Sequence, residues 1–309
     1  MNKKLLTAVI ISILIFSALA VGIKNYVIEQ SSRKLEMTKG RIDSIYDYGL
    51  IQYMQNDLDR AIKAFEILDN PKISPEKREA ALSKLADAYE KKGRYDLTLD
   101  YYRKIIHDFP NSKSTQKVKE NFEKISMKLL FSPVITDGSI GYTVQPGDTL
   151  VEIANRYKTT AELLARSNNL DNNMIAPGQT IKVLTAKLSL LVDKSENKLY
   201  LIKDKETIKT YTVSTGANNC TPVGKFKVEE KMISPVWFKV GAVVSPDSSE
   251  YELGKYWMGL SVKGYGIHGT KDENTIGKQI TKGCVRMMNN DVEELYSIIP
   301  SGTEVEIVD

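Results

Sequence analysis

Two histidines and two cysteines occur among 309 residues, and one of each sits in a setting suited to nucleophilic catalysis. His268 stands in Ile267-His268-Gly269-Thr270, and Cys284 follows sixteen residues later in Thr281-Lys282-Gly283-Cys284-Val285-Arg286-Met287. A thiol is only slightly ionised at neutral pH. A neighbouring imidazole that takes its proton makes it a competent nucleophile and later returns a proton to a leaving amine. The bland reading of the same residues is a buried thiol and a satisfied core histidine. Two histidines far apart in sequence and two cysteines give no zinc-ligand cluster, so no metal or other cofactor is expected. His107, near a helix end, is given no chemistry.

The elements that must hold this pair are strands. From Lys187 the hydrophobic pattern alternates. Leu188 to Val192 and Lys198 to Lys203 flank Asp193-Lys194-Ser195-Glu196-Asn197 as a hairpin, and Thr207 to Val213, Lys225 to Val228, Tyr256 to Val262 and Thr303 to Val308 continue the pattern. Asn290, with Glu293 three residues on, is expected to cap one short helix ending at Ile299. Residues 187–309 are therefore mostly β.

Ahead of them, residues 141–185 read as strand, Pro-Gly turn, helix, short helix and returning strand, a small βααβ domain with Asp148 or Thr149 as helix cap. Residues 131–140, with Pro133 and Gly138, read as a linker. Residues 41–130 carry apolar residues at helical spacing, an all-α stretch containing two copies of one pattern. Leu85, Ala86, Tyr89, Gly93, Tyr95, Tyr102, Ile105 and Pro110 form one; Tyr48, Gly49, Ala61, Phe65 and Leu68 form a looser copy 37 residues earlier.

At the start, Lys3 and Lys4 precede Leu5 to Ile23, a run without charge that is long enough to cross most of a bilayer core. Residues 1–24 are expected to be a membrane anchor with the lysines cytoplasmic, or a signal peptide cleaved after Ala18-Leu19-Ala20. Either places the body outside the cytoplasm. Residues 1–40 hold six Lys/Arg against two Asp/Glu, which accounts for the whole net charge of +4. No later segment has the cationic field of a nucleic-acid binder, so nucleic acid is not an expected partner.

Three resemblances give these segments expected roles. Residues 41–130 resemble a tetratricopeptide array, which implies a possible protein partner in a concave face, with a helical spacer as the plain alternative. Tyr142-Thr143-Val144-Gln145-Pro146-Gly147-Asp148-Thr149-Leu150, Asn168-Asn169-Leu170 and Ala176-Pro177-Gly178-Gln179 resemble a LysM module. That implies binding to peptidoglycan or chitin strands through Gly147, Asp148, Thr149 and Leu150 on one side of a groove and the loop near Met174 to Pro177, with Ile175 and Pro177, on the other. His268-Gly269-Thr270 followed by Thr281-Lys282-Gly283-Cys284-Val285-Arg286-Met287, with Ser214-Thr215-Gly216 and Thr221 to Phe226 upstream, resembles the L,D-transpeptidase catalytic domain of YkuD-like fold.

This last resemblance implies an enzyme acting on peptidoglycan stem peptides. Cys284 would attack the third-residue carbonyl of a tetrapeptide stem, expel D-alanine, form a thioester and pass the acyl group to an amine of another stem. His268 would be the base, oriented by the carbonyl of Gly269, and the amides of Lys282, Gly283 and Cys284 would form an oxyanion hole. Thr270, Thr281 and Arg286 are the expected substrate contacts; Arg286 either steers a stem carboxylate or holds the loop through backbone carbonyls. Lys282 stands where many members carry a second histidine. Water as acceptor would make the site a carboxypeptidase, and a wall-bound LysM/tetratricopeptide scaffold with a silent catalytic domain is the rival reading. Cys220 reads as incidental, or as a disulfide partner that would gate Cys284.

Overall fold

The computed structural model describes residues 39–239 and 242–309, which divide into two compact units, one ending at Phe122 and one beginning at Glu123. The expected span at Leu5 to Ile23 lies outside the described residues, and among the described residues no helix is long and apolar enough to cross a membrane.

The first unit is built from α1 (Lys39–Met54), α2 (Leu58–Leu68), α3 (Pro75–Lys91), α4 (Tyr95–Asp108) and the start of α5 (Thr115–Leu130). Ser74 accepts from the amide of Lys77 and Pro75 opens α3, so the extra turn between the two repeats doubles as a helix start. Gly49 permits the close approach of α1 and α2. A Cβ there would lie 2.7 Å from Phe65 Cε1, and Phe65 is fully buried.

The second unit begins with the rest of α5. The βααβ module follows: β1 (Ser139–Thr143), α6 (Leu150–Tyr157), α7 (Ala161–Ser167) and β2 (Thr180–Leu184), with β1 and β2 antiparallel. Thr149 is the cap of α6 and forms a reciprocal capping box with Glu152.

The remaining strands are β3 (Leu188–Asp193), β4 (Lys198–Lys203), β5 (Glu206–Gly216), β6 (Gly224–Ile233), β7 (Trp237–Lys239), β8 (Ala242–Val244), β9 (Tyr256–Leu260), β10 (Gly266–His268), β11 (Gln279–Thr281), β12 (Val285–Met287) and β13 (Glu304–Val308). All but the β7–β8 hairpin join one sheet in the order β11-β5-β12-β10-β9-β6-β13-β3-β4. Because β4 also pairs with β5, the sheet closes on itself as a barrel. Alternation supplies the core. Leu188, Leu190 and Val192 of β3 and Val305 and Ile307 of β13 are buried while their neighbours face outward.

The closing helix α8 (Asn289–Ile298) lays Val292, Leu295 and Ile298 into the same core. Its start corrects an expectation. Met288, not Asn290, is the flanking residue, and no side chain caps it. The helix begins two residues earlier than a cap at Asn290 would set, and the side chain of its first residue, Asn289, is engaged by a loop: its Oδ1 accepts from Thr270 N–H (3.0 Å) and its Nδ2 donates to Thr270 O (2.7 Å). Glu293 accepts instead from the Tyr256 hydroxyl (2.7 Å).

Candidate active site

His268 ends β10 and Cys284 immediately precedes β12. These strands are neighbours and parallel, with Ile267 opposite Val285 and His268 opposite Arg286. One step back along the same register, Cys284 lies beside Gly266. Both side chains line one cavity of about 490 Å³, together with Glu230, Met232, Trp237, Glu252, Trp257, Thr281, Lys282 and Arg286.

The imidazole is buried, and its tautomer follows from its partner. A carbonyl oxygen can only accept, so Nδ1–H donates to Gly269 O (2.7 Å) and the neutral ring carries its lone pair on Nε2. The ring stacks on Trp257, with centroids 5.7 Å apart. Burial pushes its pKa down to about 4 against the upward pull of the Gly269 carbonyl. Burial likewise pushes the Cys284 thiol up, against a backbone hydrogen bond at Gly266 and the positive charge of Arg286. The resting pair is therefore a neutral thiol and a neutral imidazole.

The loop before Cys284 is held by Thr281, whose hydroxyl donates to Cys284 O (2.7 Å) and accepts from Gly283 N–H (3.1 Å). This corrects the expected set of three oxyanion donors, since the Gly283 amide is already used. It also makes Thr281 a brace of the loop, although it lines the cavity. Gly283 is needed for shape: its φ is +115°, and a Cβ there would stand 2.5 Å from Tyr265 Cε1.

Thr270 is not brought to the cavity. It is buried, its backbone is clasped by Asn289, and its hydroxyl closes a turn with Asp272, accepting from the amide (3.0 Å) and donating to the carbonyl (3.1 Å). Its expected substrate contact is corrected accordingly. Arg286 does reach the cavity wall, held by side chains and not by carbonyls: Nη1 donates to Thr275 Oγ1 (3.2 Å) and Nη2 to Glu252 Oε2 (3.3 Å). Cys220 and Cys284 are both free thiols. Cys220 sits against the loop that carries Cys284, with Sγ 3.9 Å from Thr281 O.

In the βααβ module Gly147 and Pro177 are exposed, and Gly147 has φ +89° in the turn. Leu150 corrects the expected groove: it is buried in the module's core, and Ile175 packs against that core. The Asp148 carboxylate is occupied internally by Tyr142 O–H (2.7 Å) and Gln145 N–H (2.8 Å). Thr149 is exposed, but its hydroxyl is engaged with Glu152. Exposed Met174, at the start of the loop expected on the far side of the groove, and exposed Val151, absent from the sequence reading, stand beside these residues.

Sequence reasoning also missed Glu230, Glu252, Trp237, Trp257 and Asn289. The chain has only two tryptophans, and both line this cavity, a signal available from composition once the strand alternation is drawn.

Comparison with known proteins agrees with this architecture. Residues 188–307 match the model of the L,D-transpeptidase catalytic domain, 142–184 the LysM domain, and 43–70 and 80–112 the tetratricopeptide repeat. A Bacillus licheniformis protein named as the L,D-transpeptidase YkuD is 34% identical over 174 residues, which cover 54% of this chain and 97% of that protein. Its Bacillus subtilis counterpart is 36% identical over the same shares. A solved L,D-transpeptidase from Mycobacterium smegmatis is 17% identical with a TM-score of 0.36; the match covers 43% of this chain and 64% of that one, so it spans less than two thirds of that structure.

Proposed function

The chain belongs to the L,D-transpeptidase family, with a LysM domain and tetratricopeptide repeats ahead of its catalytic domain, and on that premise we propose a wall-directed reaction carried by Cys284 and His268. The observation that carries this is the pair's placement on adjacent parallel strands facing one cavity, with the imidazole tautomer set by Gly269.

In the first half-reaction Nε2 of His268 takes the thiol proton as Sγ bonds to the carbonyl carbon of the third stem residue. The amides of Lys282 and Cys284 receive the oxyanion, a kind of donor whose loss typically costs about 3 kcal/mol of transition-state stabilisation. The bond to D-alanine breaks, its nitrogen takes the proton back from His268, and a thioester remains. In the second half an amine of another stem attacks the thioester, gives its proton to His268, and the thiol is restored. Water in place of the amine gives the carboxypeptidase outcome from the same site. The LysM module serves as a glycan clamp through the exposed edges at Gly147, Val151, Met174 and Pro177, raising the local concentration of stems. The helical array is a spacer or a platform for a protein partner. The work is extracytoplasmic, with residues 1–24 as tether or export signal.

The test is incubation of residues 39–309 with a tetrapeptide muropeptide. D-alanine, a dimeric product and a thioester adduct on Cys284 are expected, and none of them from Cys284→Ala. Equal turnover by that variant removes the mechanism.

A further inference from the structure

The active-site cavity has a second end, and the sheet register gives its composition. Across four neighbouring strands one row reads Cys284, Gly266, Gly259 and Glu230: Gly266 is opposite Gly259, and Gly259 opposite Glu230. The two central glycines leave a floor that the indole of Trp257 covers. A Cβ on Gly266 would lie 2.5 Å from Trp257 Cζ2, and one on Gly259 would lie 2.9 Å from Glu230 Oε1 and 3.1 Å from Trp257 Nε1. The carboxylate therefore sits at the edge of the indole, on the side away from the thiol.

Glu230 reaches this position through a break in register. Val228 pairs with Leu260 and Glu230 with Gly259, so Glu229 is the extra residue of a β-bulge. Bulges beside active sites re-aim side chains. Here the bulge brings Glu230, in step with Met232, to the cavity wall.

The charges on that wall are already sorted. Arg286 is paired with Glu252, and Lys282 adjoins the nucleophile. Among the described residues lining the cavity, Glu230 is the carboxylate without an ion-pair partner or hydrogen bond. A surface that offers a flat apolar floor ending in an unpaired carboxylate is complementary to a linear aliphatic chain ending in a cation. The span fits as well. The Glu230 carboxylate leans over Gly259, two inter-strand steps or about 10 Å from Cys284 along the row, a gap that a lysine-type side chain bridges from its carbonyl carbon to its nitrogen with one carbon–sulfur bond and one hydrogen bond at its ends.

We infer that Glu230 is a specificity-determining residue that holds the terminal ammonium of a diamino acid at the third position of the donor stem, its methylenes lying on Trp257 while its carbonyl is bonded to Cys284. This rests on the transpeptidase reading and assigns one residue of that site to the donor's third side chain. The amine so held is the donor's own side chain. The attacking amine of the acceptor must approach the thioester itself and lies outside this subsite.

The experiment compares two donor tetrapeptides, one with lysine and one with norleucine at the third position, by D-alanine release from the wild-type chain and from Glu230→Gln. The wild type is expected to favour the lysine peptide by about tenfold or more in kcat/KM, the scale of one charge-assisted contact. Glu230→Gln is expected to bring the two within about twofold by lowering the lysine peptide alone. Unchanged discrimination in the variant, or an equal loss on both peptides, overturns the subsite. Failure of the wild type to release D-alanine from either peptide overturns the transpeptidase reading beneath it.

Discussion

A buried imidazole that stays neutral into acid solution is a usable base over a wide pH range. His268 has its pKa down at about 4 from 6.5 because burial outweighs the Gly269 carbonyl. The acid limb of kcat/KM is therefore expected near pH 4, and measuring D-alanine release between pH 3.5 and 8 checks it; a limb near 6.5 would mean the ring is solvated. The same shift has a stability consequence of opposite sign to that of a histidine held protonated in an ion pair. Between about pH 4 and 6.5 the unfolded chain binds a proton that the folded histidine refuses. Stability therefore rises with pH through that window and is lost as pH falls, by up to about 3 kcal/mol. Denaturant midpoints of wild type and His268→Gln at pH 4.5 and 7 should show the slope in the first and its loss in the second.

Elements place that histidine. Strand β10 ends at His268, and the chain after it is clasped by the first residue of α8: Asn289 bonds both the N–H and the C=O of Thr270. Asn289→Ala leaves two backbone groups in a half-buried loop without partners, which should cost about 2–4 kcal/mol and lower kcat more than KM as the imidazole loosens. Thermal melts and single-substrate kinetics read both effects. Thr149→Ala removes only a helix cap and should cost about 1 kcal/mol with the active site unchanged. The contrast between these residues also explains what the sequence disclosed. Capping by Thr149 and the hairpin about Ser195 are local, set by turn residues and period-two alternation, and were legible. So was the tight turn before Cys284, because Gly283 and Cys284 follow each other in sequence. Asn289 was missed because its partner, Thr270, is nineteen residues away, and its neighbour Asn290, a residue suited to capping, was expected at the helix start instead. Glu230, and the placement of Trp257 beside it, were invisible for a similar reason. Their neighbours are set by the strand order β12-β10-β9-β6 and by a bulge, neither of which local pattern encodes.

At the scale of the whole molecule the glycan-binding and catalytic modules, read in sequence as separate beads, share one core in the second unit. Leu163 of α7 and Leu184 of β2 are buried in the same cluster as Leu188, Leu190 and Leu295, together with Met127 and Leu130 of α5. Polar contacts run alongside. Thr160 donates to the carbonyl of Ser297, Arg166 Nη1 donates to Ser297 Oγ (2.6 Å), and the Lys182 ammonium donates to the carbonyls of Leu129 (2.6 Å) and Ser132 (2.9 Å). Removing residues 141–186 would thus unroof the catalytic barrel as well as delete the clamp, so loss of activity on sacculi would not isolate the clamp; changes at exposed Met174 and Pro177 do. The shared core makes a sharper prediction. Leu163→Ala, a change inside the LysM module, should cost about 2–5 kcal/mol and lower the melting of residues 123–309 as one transition followed by both module signals. Residues 187–309 alone, without Met127, Leu130, Leu163 and Leu184, would lose several such contributions, comparable with a domain's total stability of about 5–15 kcal/mol. That fragment is expected to melt far lower or not to fold. A catalytic transition that stays in place when Leu163 is truncated would show that the two modules fold independently and that their contact adds nothing to the barrel's stability.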